Sequence, residues 1–236
     1  MILPKKNRYF EKILYHYISF QLKTKFHCVW LDDNRNEQKK GSHLLLVNHS
    51  SWWDGLIVFY LNYRVIKEDS YAMMSQQGME EYPFFRKIGA FSVNPNSPKD
   101  LIRSLRFAEH VLHEKKSVWI FPQGKEEHLE KRPFQFMSGP SFLIQKVENV
   151  TVSPVLFYYT FRHSEKPELF IRISDSIRLS MLQDKSKNQI TQMLEWIMEK
   201  ELDLLKEDII EERVNTFIQI EKGIPPVRDW FKRNNL

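Results

Sequence analysis

An apolar run that stops on Asn-His constrains this chain more than any other feature. Leu44-Leu45-Leu46-Val47 leads into Asn48-His49-Ser50-Ser51-Trp52-Trp53-Asp54. A short, continuous apolar segment of this kind reads as a buried strand over 43–48. The segment from Gly55 to Leu61 reads as a helix, with a helical pattern on to about Lys67. His49 therefore falls where a strand gives way to a helix, the place where α/β folds present their chemistry. An imidazole with a carboxylate five residues on is a minimal base-plus-orienter pair. The alternative stands beside it: Ser51 and Asp54 also fit a capping box, which makes Asp54 a helix cap and His49 a strand-end histidine.

The rest of the chain alternates in the same way. Strands are expected over 25–31, Tyr71–Ser75, Ala90–Val93, Ser117–Phe121, Thr151–Tyr159 and Leu169–Ile173, the last with the pattern of an edge strand. A polar loop should run from Asp32 through Gly41. A helical piece should end near Ile88. Asn94-Pro95-Asn96-Ser97-Pro98 is a turn cluster, and Ser97 and Pro98 suit the N-cap and first position of a helix to about Glu114. Leu101, Leu105, Ala108 and Leu112 line its apolar side. Shorter and longer helices are expected over 139–147 and 186–212, followed by a tail with Pro225-Pro226 and Trp230-Phe231. The pattern specifies a single α/β domain with a mixed, mostly parallel sheet flanked by helices, an N-terminal amphipathic helix and a C-terminal helical extension. The 236 residues suffice for one sizeable core.

Charge is concentrated at one end. Residues 1–25 hold six basic residues against Glu11, whereas the remaining 29 basic and 29 acidic residues cancel. The body of the chain is thus not a nucleic-acid-binding surface, and no nucleic acid partner is expected. Over 6–21, Tyr9, Phe10, Ile13, Leu14, Tyr17 and Ile18 form a helical apolar stripe between basic residues. It suits packing on the domain, docking on a membrane surface with anionic lipids, or both. No apolar run of about 18 residues exists, and no signal-peptide pattern follows Met1, so neither a transmembrane helix nor a leader is expected. The lone Cys28, in a predicted strand, suits the core and a reducing compartment.

Two further points concern chemistry. No G-x-S-x-G elbow is present, since Gly139-Pro140-Ser141 continues Phe142-Leu143, so the base would act on a substrate hydroxyl. No metal spacing stands out; His110 and His113 read as a solvated helix face. Phe121-Pro122-Gln123-Gly124-Lys125 ends a buried strand in a tight turn. The turn is either an ordinary strand end or a place where backbone N–H groups and Lys125 meet an anion.

Asn48-His49-Ser50-Ser51-Trp52-Trp53-Asp54 resembles the N-H-x-x-x-x-D block of the glycerolipid acyltransferase superfamily, the 1-acyl-sn-glycerol-3-phosphate acyltransferase-like proteins. Gly89-Ala90-Phe91-Ser92-Val93-Asn94 resembles its acceptor-binding block, Phe121-Pro122-Gln123-Gly124 its F-P-E-G block, and Val152-Ser153-Pro154-Val155 its V-P-V-like strand. The resemblance spans residues 44–156. It implies transfer of a fatty acyl group from acyl-CoA or acyl carrier protein to a hydroxyl of a lysophospholipid or related lipid. His49 would be general base and Asp54 its orienter. Asn48, Gly89, Phe91, Asn94, Phe121, Pro122, Gln123, Gly124 and Lys125 would contact substrate. No metal or cofactor is implied beyond the thioester co-substrate. The implied organisation is a membrane-interface helix over 1–24, an acyltransferase core over 25–180 and a helical extension over 181–236. The implied location is the cytoplasmic side of a membrane, as a peripheral protein.

The chain departs from the family pattern at the acceptor. Pro95 stands where an arginine usually ends the second block, Gln123 where glutamate is usual, and Lys125-Glu126 where Thr-Arg is usual. A missing arginine fork removes bidentate phosphate recognition; Lys125, Arg86 and Arg103 are the cations that could replace it. The departures raise a phosphate-free acceptor, such as a glycolipid or glycosylated isoprenoid, as an alternative. A non-catalytic lipid-binding scaffold is the alternative of another class.

Overall fold

The computed structural model describes residues 1–35, 41–182 and 184–225. Residues 36–40 of the expected polar loop, together with Pro226, Trp230 and Phe231 of the expected tail, lie outside the described residues.

Eight strands form one sheet in the order β4-β3-β5-β2-β6-β7-β1-β8. They are β1 (Cys28–Asp33), β2 (His43–Val47), β3 (Ser70–Ser75), β4 (Ala90–Val93), β5 (Ser117–Ile120), β6 (Thr151–Thr160), β7 (Glu168–Ile173) and β8 (Ile218–Lys222). Five pairings are parallel; β6–β7 and β1–β8 are antiparallel. The mixed, mostly parallel α/β sheet expected from the alternation of elements is what forms. Helices α1 (Arg8–Lys25) and α2 (Asp54–Leu61) cover one face. Helices α4 (Pro98–His113), α5 (Gly139–Lys146) and α6 (Lys187–Ile210) cover the other. Short α3 (Gln76–Glu81) precedes a 3-10 turn over Pro83–Ile88.

β2 lies in the middle of the sheet, and all five of its residues are buried. That burial on both faces is why its sequence is continuously apolar rather than alternating. Local signals set the helix starts. Ser97 accepts from Asp100 N and Pro98 occupies the first turn of α4. A full capping box, Ser186 with Gln189, opens α6. The helix after the motif does not run uniformly to Lys67: α2 ends at Leu61 and a π-helical turn covers Asn62–Ile66, closed by Lys67 in the left-handed region.

Two expectations need correction. β7 is not an edge strand but lies between β6 and β1, with every residue buried. Its polar residues suggested an exposed face, yet each is paired within the fold. Arg172 pairs with Asp32 at 2.8 Å and Asp208 at 2.7 Å, and Glu168 accepts from the Trp30 indole at 2.7 Å. The segment read as a helical extension also supplies a strand. β8 closes the sheet beyond β1, and its buried Glu221 accepts from Tyr60 at 2.8 Å and Arg64 at 2.7 Å of the α2 region. α6 packs Leu194, Met198, Leu202 and Leu205 into the core on the face opposite α1.

Helix α1 splits its stripe between two faces. Leu14, Ile18 and Leu22 are buried against the domain, whereas Tyr9, Ile13, Tyr17 and Phe20 are exposed. Among the described residues no helix is long and apolar enough to cross a membrane.

Candidate active site

The site forms where the carboxyl ends of β2 and β5 deliver their loops side by side. Asn48 completes the strand before the motif begins. Its side-chain amide donates to Phe157 O at 2.9 Å and accepts from Phe157 N at 2.8 Å, extending the β2–β6 ladder by one rung. It is buried and does not line the cleft, so it holds the strand end rather than contacting substrate.

The next residues turn into α2. Asp54 N donates to Ser51 O at 3.0 Å, and Ser51 Oγ accepts from Trp53 N at 3.2 Å. Asp54 is the first residue of the helix, where a carboxylate complements the helix dipole. It is completely buried. Its Oδ2 accepts from Ser50 N at 2.7 Å and Ser51 N at 2.9 Å, and lies 2.9 Å from His49 Nδ1. The bond from Ser51 N is the returning half of a capping box; the other half is redirected to Trp53 N. Capping and orienting are therefore the same set of contacts. With Nδ1 on the carboxylate, Nε2 is left toward the cleft, 3.9 Å from Glu126 Oε1. A neutral imidazole protonated on Nδ1 presents Nε2 as a proton acceptor.

The loop after β5 supplies the opposite wall. The Phe121 ring stacks on the imidazole, with centroids 4.4 Å apart. Gln123 is buried; its Oε1 accepts from His49 N at 2.7 Å. Gln123 is thus a brace between the two loops. Gly124 takes a left-handed φ of 73°, which lets the chain reverse after Phe121. Buried Glu127 gathers Lys131 at 2.6 Å and Lys125 at 3.4 Å. The Lys131 ammonium, aided by Gln123 and Lys125, holds the Glu127 carboxyl below its usual range.

The expected oxyanion donors fall differently. The N–H groups of His49, Ser50 and Ser51 are engaged by Gln123 and Asp54, and Gly124 N donates to Phe121 O at 3.1 Å. None of these four amides is left for a substrate oxyanion, because the turn and the brace consume them.

A cleft of about 1410 Å³ runs from His49 over β3, whose residues stay half-exposed although β3 is an interior strand. Phe121, Pro122, Gln123, Gly124 and Lys125 all line it. The second block divides: Val93 and Pro95 line the cleft, but Gly89, Phe91 and Asn94 do not. Gly89 has φ of 100° and ends the 3-10 turn, where a Cβ would lie 2.8 Å from Ser70 O. Phe91 is core, edge-on to Phe107. Asn94 Oδ1 accepts from Asn96 N at 3.0 Å, an Asx-type turn. These three serve the conformation of the chain around the cleft. Of the possible replacement cations only Lys125 lines the cleft; Arg86 and Arg103 do not. His110 and His113 sit on the outer face of α4, beside Glu114 at 3.2 Å and Glu109 at 3.9 Å.

Sequence reasoning missed Tyr159 and Glu126. Tyr159 Oη donates to Asp54 Oδ1 at 2.5 Å. A signal existed: Val155, Phe157 and Tyr159 share one face of β6, the face that packs toward α2. Glu126 stood out only as part of the Lys125-Glu126 departure from the family block, which gave it no role.

The alternating fold places an imidazole–carboxylate pair at the carboxyl ends of its central strands. The chain belongs to the acyltransferase family, whose model matches residues 28–158, β1 through most of β6. Among solved structures the fold resembles that of the 1-acyl-sn-glycerophosphate (LPA) acyltransferase PlsC from Thermotoga maritima. The TM-score is 0.57 at 14% identity, over 84% of this chain and 79% of that one. No curated protein sequence matches.

Proposed function

We propose that this acyltransferase moves a fatty acyl group from an acyl thioester, acyl-CoA or acyl carrier protein, to a hydroxyl of a lipid acceptor, with His49 as general base. The observation that carries the reading is the 2.9 Å contact of His49 Nδ1 with the buried Asp54 carboxylate. Nε2 takes the acceptor's proton as its oxygen attacks the thioester carbonyl carbon. The C–S bond breaks as the new C–O bond is completed, and the imidazolium returns the proton to the departing thiolate. Asp54 keeps the ring in the right tautomer and stabilises the imidazolium. The PlsC likeness supports a lipid acceptor.

The acceptor head is read as phosphate-free. Glu126 faces Nε2, Glu81 also lines the cleft, and Lys125 leans on Glu127. A phosphate monoester beside the reacting nitrogen meets the Glu126 carboxylate, not an arginine fork. Trp52, 51% exposed and edge-on to Tyr82, offers an aromatic face at the cleft to a neutral polyol head. With palmitoyl-CoA or palmitoyl-acyl carrier protein, a monoglycosylated lipid is expected to be acylated at least tenfold faster than lysophosphatidic acid, in kcat/KM. The reverse preference removes the acceptor reading and leaves acyl transfer standing. Thioester that survives with every acceptor favours the non-catalytic lipid-binding alternative.

Docking on a membrane surface with anionic lipids follows from the outer face of α1. Tyr9, Ile13 and Tyr17 recur every fourth residue, Phe20 extends the row, and exposed Lys5, Arg8, Lys12 and Lys23 flank it. Lys6 and Arg8 also border the cleft, so a docked α1 brings the cleft mouth to the lipid surface. Deleting α1 is a poor test, since Leu14, Ile18 and Leu22 belong to the core. Serine at all four exposed positions is expected to abolish co-sedimentation with phosphatidylglycerol vesicles while leaving thermal unfolding cooperative. Undiminished co-sedimentation removes the docking surface.

A further inference from the structure

We infer that Tyr159 is a positioning residue for the His49–Asp54 pair: its hydroxyl anchors Asp54 Oδ1 so that Oδ2 alone serves the imidazole. The inference rests on the reading of His49 as base. The Asp54 carboxylate has two unlike sides. Oδ2 takes Ser50 N, Ser51 N and His49 Nδ1, all from the turn that the carboxylate itself organises. Oδ1 takes Tyr159 Oη at 2.5 Å, a partner 105 residues away on β6. This bond ties the carboxylate directly to strand β6.

The phenol is itself held. Its strand is paired with β7 at Leu169, and its ring lies 6.2 Å from Phe26, which meets Trp53 edge-on at 5.4 Å. Trp53 is the residue just before Asp54, so ring and carboxylate are fixed by one aromatic wedge. Burial, then the adjacent Asp54 charge, pushes the Tyr159 hydroxyl well above its ordinary range. It therefore stays protonated and remains a donor wherever the enzyme is assayed.

The bond has two consequences. It stops rotation of the carboxylate, which would otherwise offer either oxygen to the ring. It also draws charge toward Oδ1 and away from the oxygen that faces the imidazole. The charged and titratable groups around His49 are Asp54 from α2, Tyr159 from β6, and Glu126 from the loop after β5. Glu127 of that loop meets His49 through its backbone only, N to O at 2.9 Å, and its carboxylate is taken by Lys125 and Lys131. Of these, only Tyr159 acts on Asp54 without touching the ring.

The test is an NMR pH titration of the His49 ring in the full-length protein labelled with 15N-histidine, assigned by the signal that His49→Ala removes. In Tyr159→Phe the midpoint is expected to rise by roughly 0.5 pH unit or more, as loss of one donor returns charge to the side facing the ring. In parallel, kcat with palmitoyl-CoA is expected to fall about tenfold with its KM unchanged. Incorporation of 3,5-difluorotyrosine at 159, a stronger donor of almost the same shape, is expected to move the midpoint the other way and covers the case in which the phenylalanine variant does not fold. A wild-type midpoint in both variants overturns the inference. Because the titration needs no substrate, it decides the role of Tyr159 even where an active His49→Ala enzyme disproves His49 as the base.

Discussion

Alanine at His49 is expected to lower kcat for acyl transfer by about 10³-fold or more, with little change in thermal stability. A positioned general base contributes about 10²–10⁴-fold, and in the proposed mechanism the imidazole is that base. The fold should survive because the contacts that His49 makes with the opposite loop use its backbone. Its N–H donates to Gln123 and its carbonyl accepts from Glu127 N, and neither needs the ring. The ring does stack on Phe121, so a small loss of packing is expected. The measurement is single-turnover acyl transfer on protein checked by thermal melt. A variant that retains more than a tenth of wild-type kcat disposes of the mechanism.

Asparagine at Asp54 is expected to be the second most damaging change, lowering kcat by about 10²–10³-fold while the turn stays intact. The geometry dictates which way the amide points. Ser50 N, Ser51 N and His49 Nδ1 all converge on the Oδ2 position, so the amide oxygen must sit there. The NH₂ group then falls where Oδ1 was, facing Tyr159 Oη, and a hydroxyl can turn to accept it. Tautomer and turn are kept; the negative charge that stabilises the imidazolium is lost. Activity should therefore collapse with only a modest drop in melting temperature. Near-normal activity would make Asp54 a turn residue and nothing more.

Much of this site was legible in the residues. A buried strand had to end at Asn48 because four apolar residues give way at once to polar ones. The start of the next helix followed from Ser51 and Asp54, and the same spacing brought carboxylate and imidazole together. The helix at Ser97–Pro98 and the capping box at Ser186 carried their own local signals. Where the pattern failed, the deciding partner lay far along the chain. Arg172 made β7 look like an edge, since nothing local announces that Asp32 and Asp208 will neutralise it in the interior. β8 was hidden because Ile218-Gln219-Ile220-Glu221-Lys222 is short and half polar, and its Glu221 is tolerated because distant residues, Ser19, Lys23, Tyr60 and Arg64, reach it. Asn48, Gly89, Phe91 and Asn94 sit in family-like blocks, yet their contacts are with backbone, core or turn.

The sequence by itself determined the alternating α/β layout, the strand-to-helix junction and the identity of the pair placed there. All of these rest on interactions within about ten residues, where periodicity, capping and turn chemistry act. Only the tertiary structure decided what surrounds the pair. It brought Tyr159 from β6 onto Asp54, Gln123 onto the backbone of His49, and Glu126 opposite Nε2. It also divided one apolar stripe of α1 into a core face and an exposed face. The physical reason is common to all of them. A hydrogen bond or charge contact depends on atoms a few ångströms apart, and when those atoms lie 74 or 105 residues apart in the chain, sheet order and register place them.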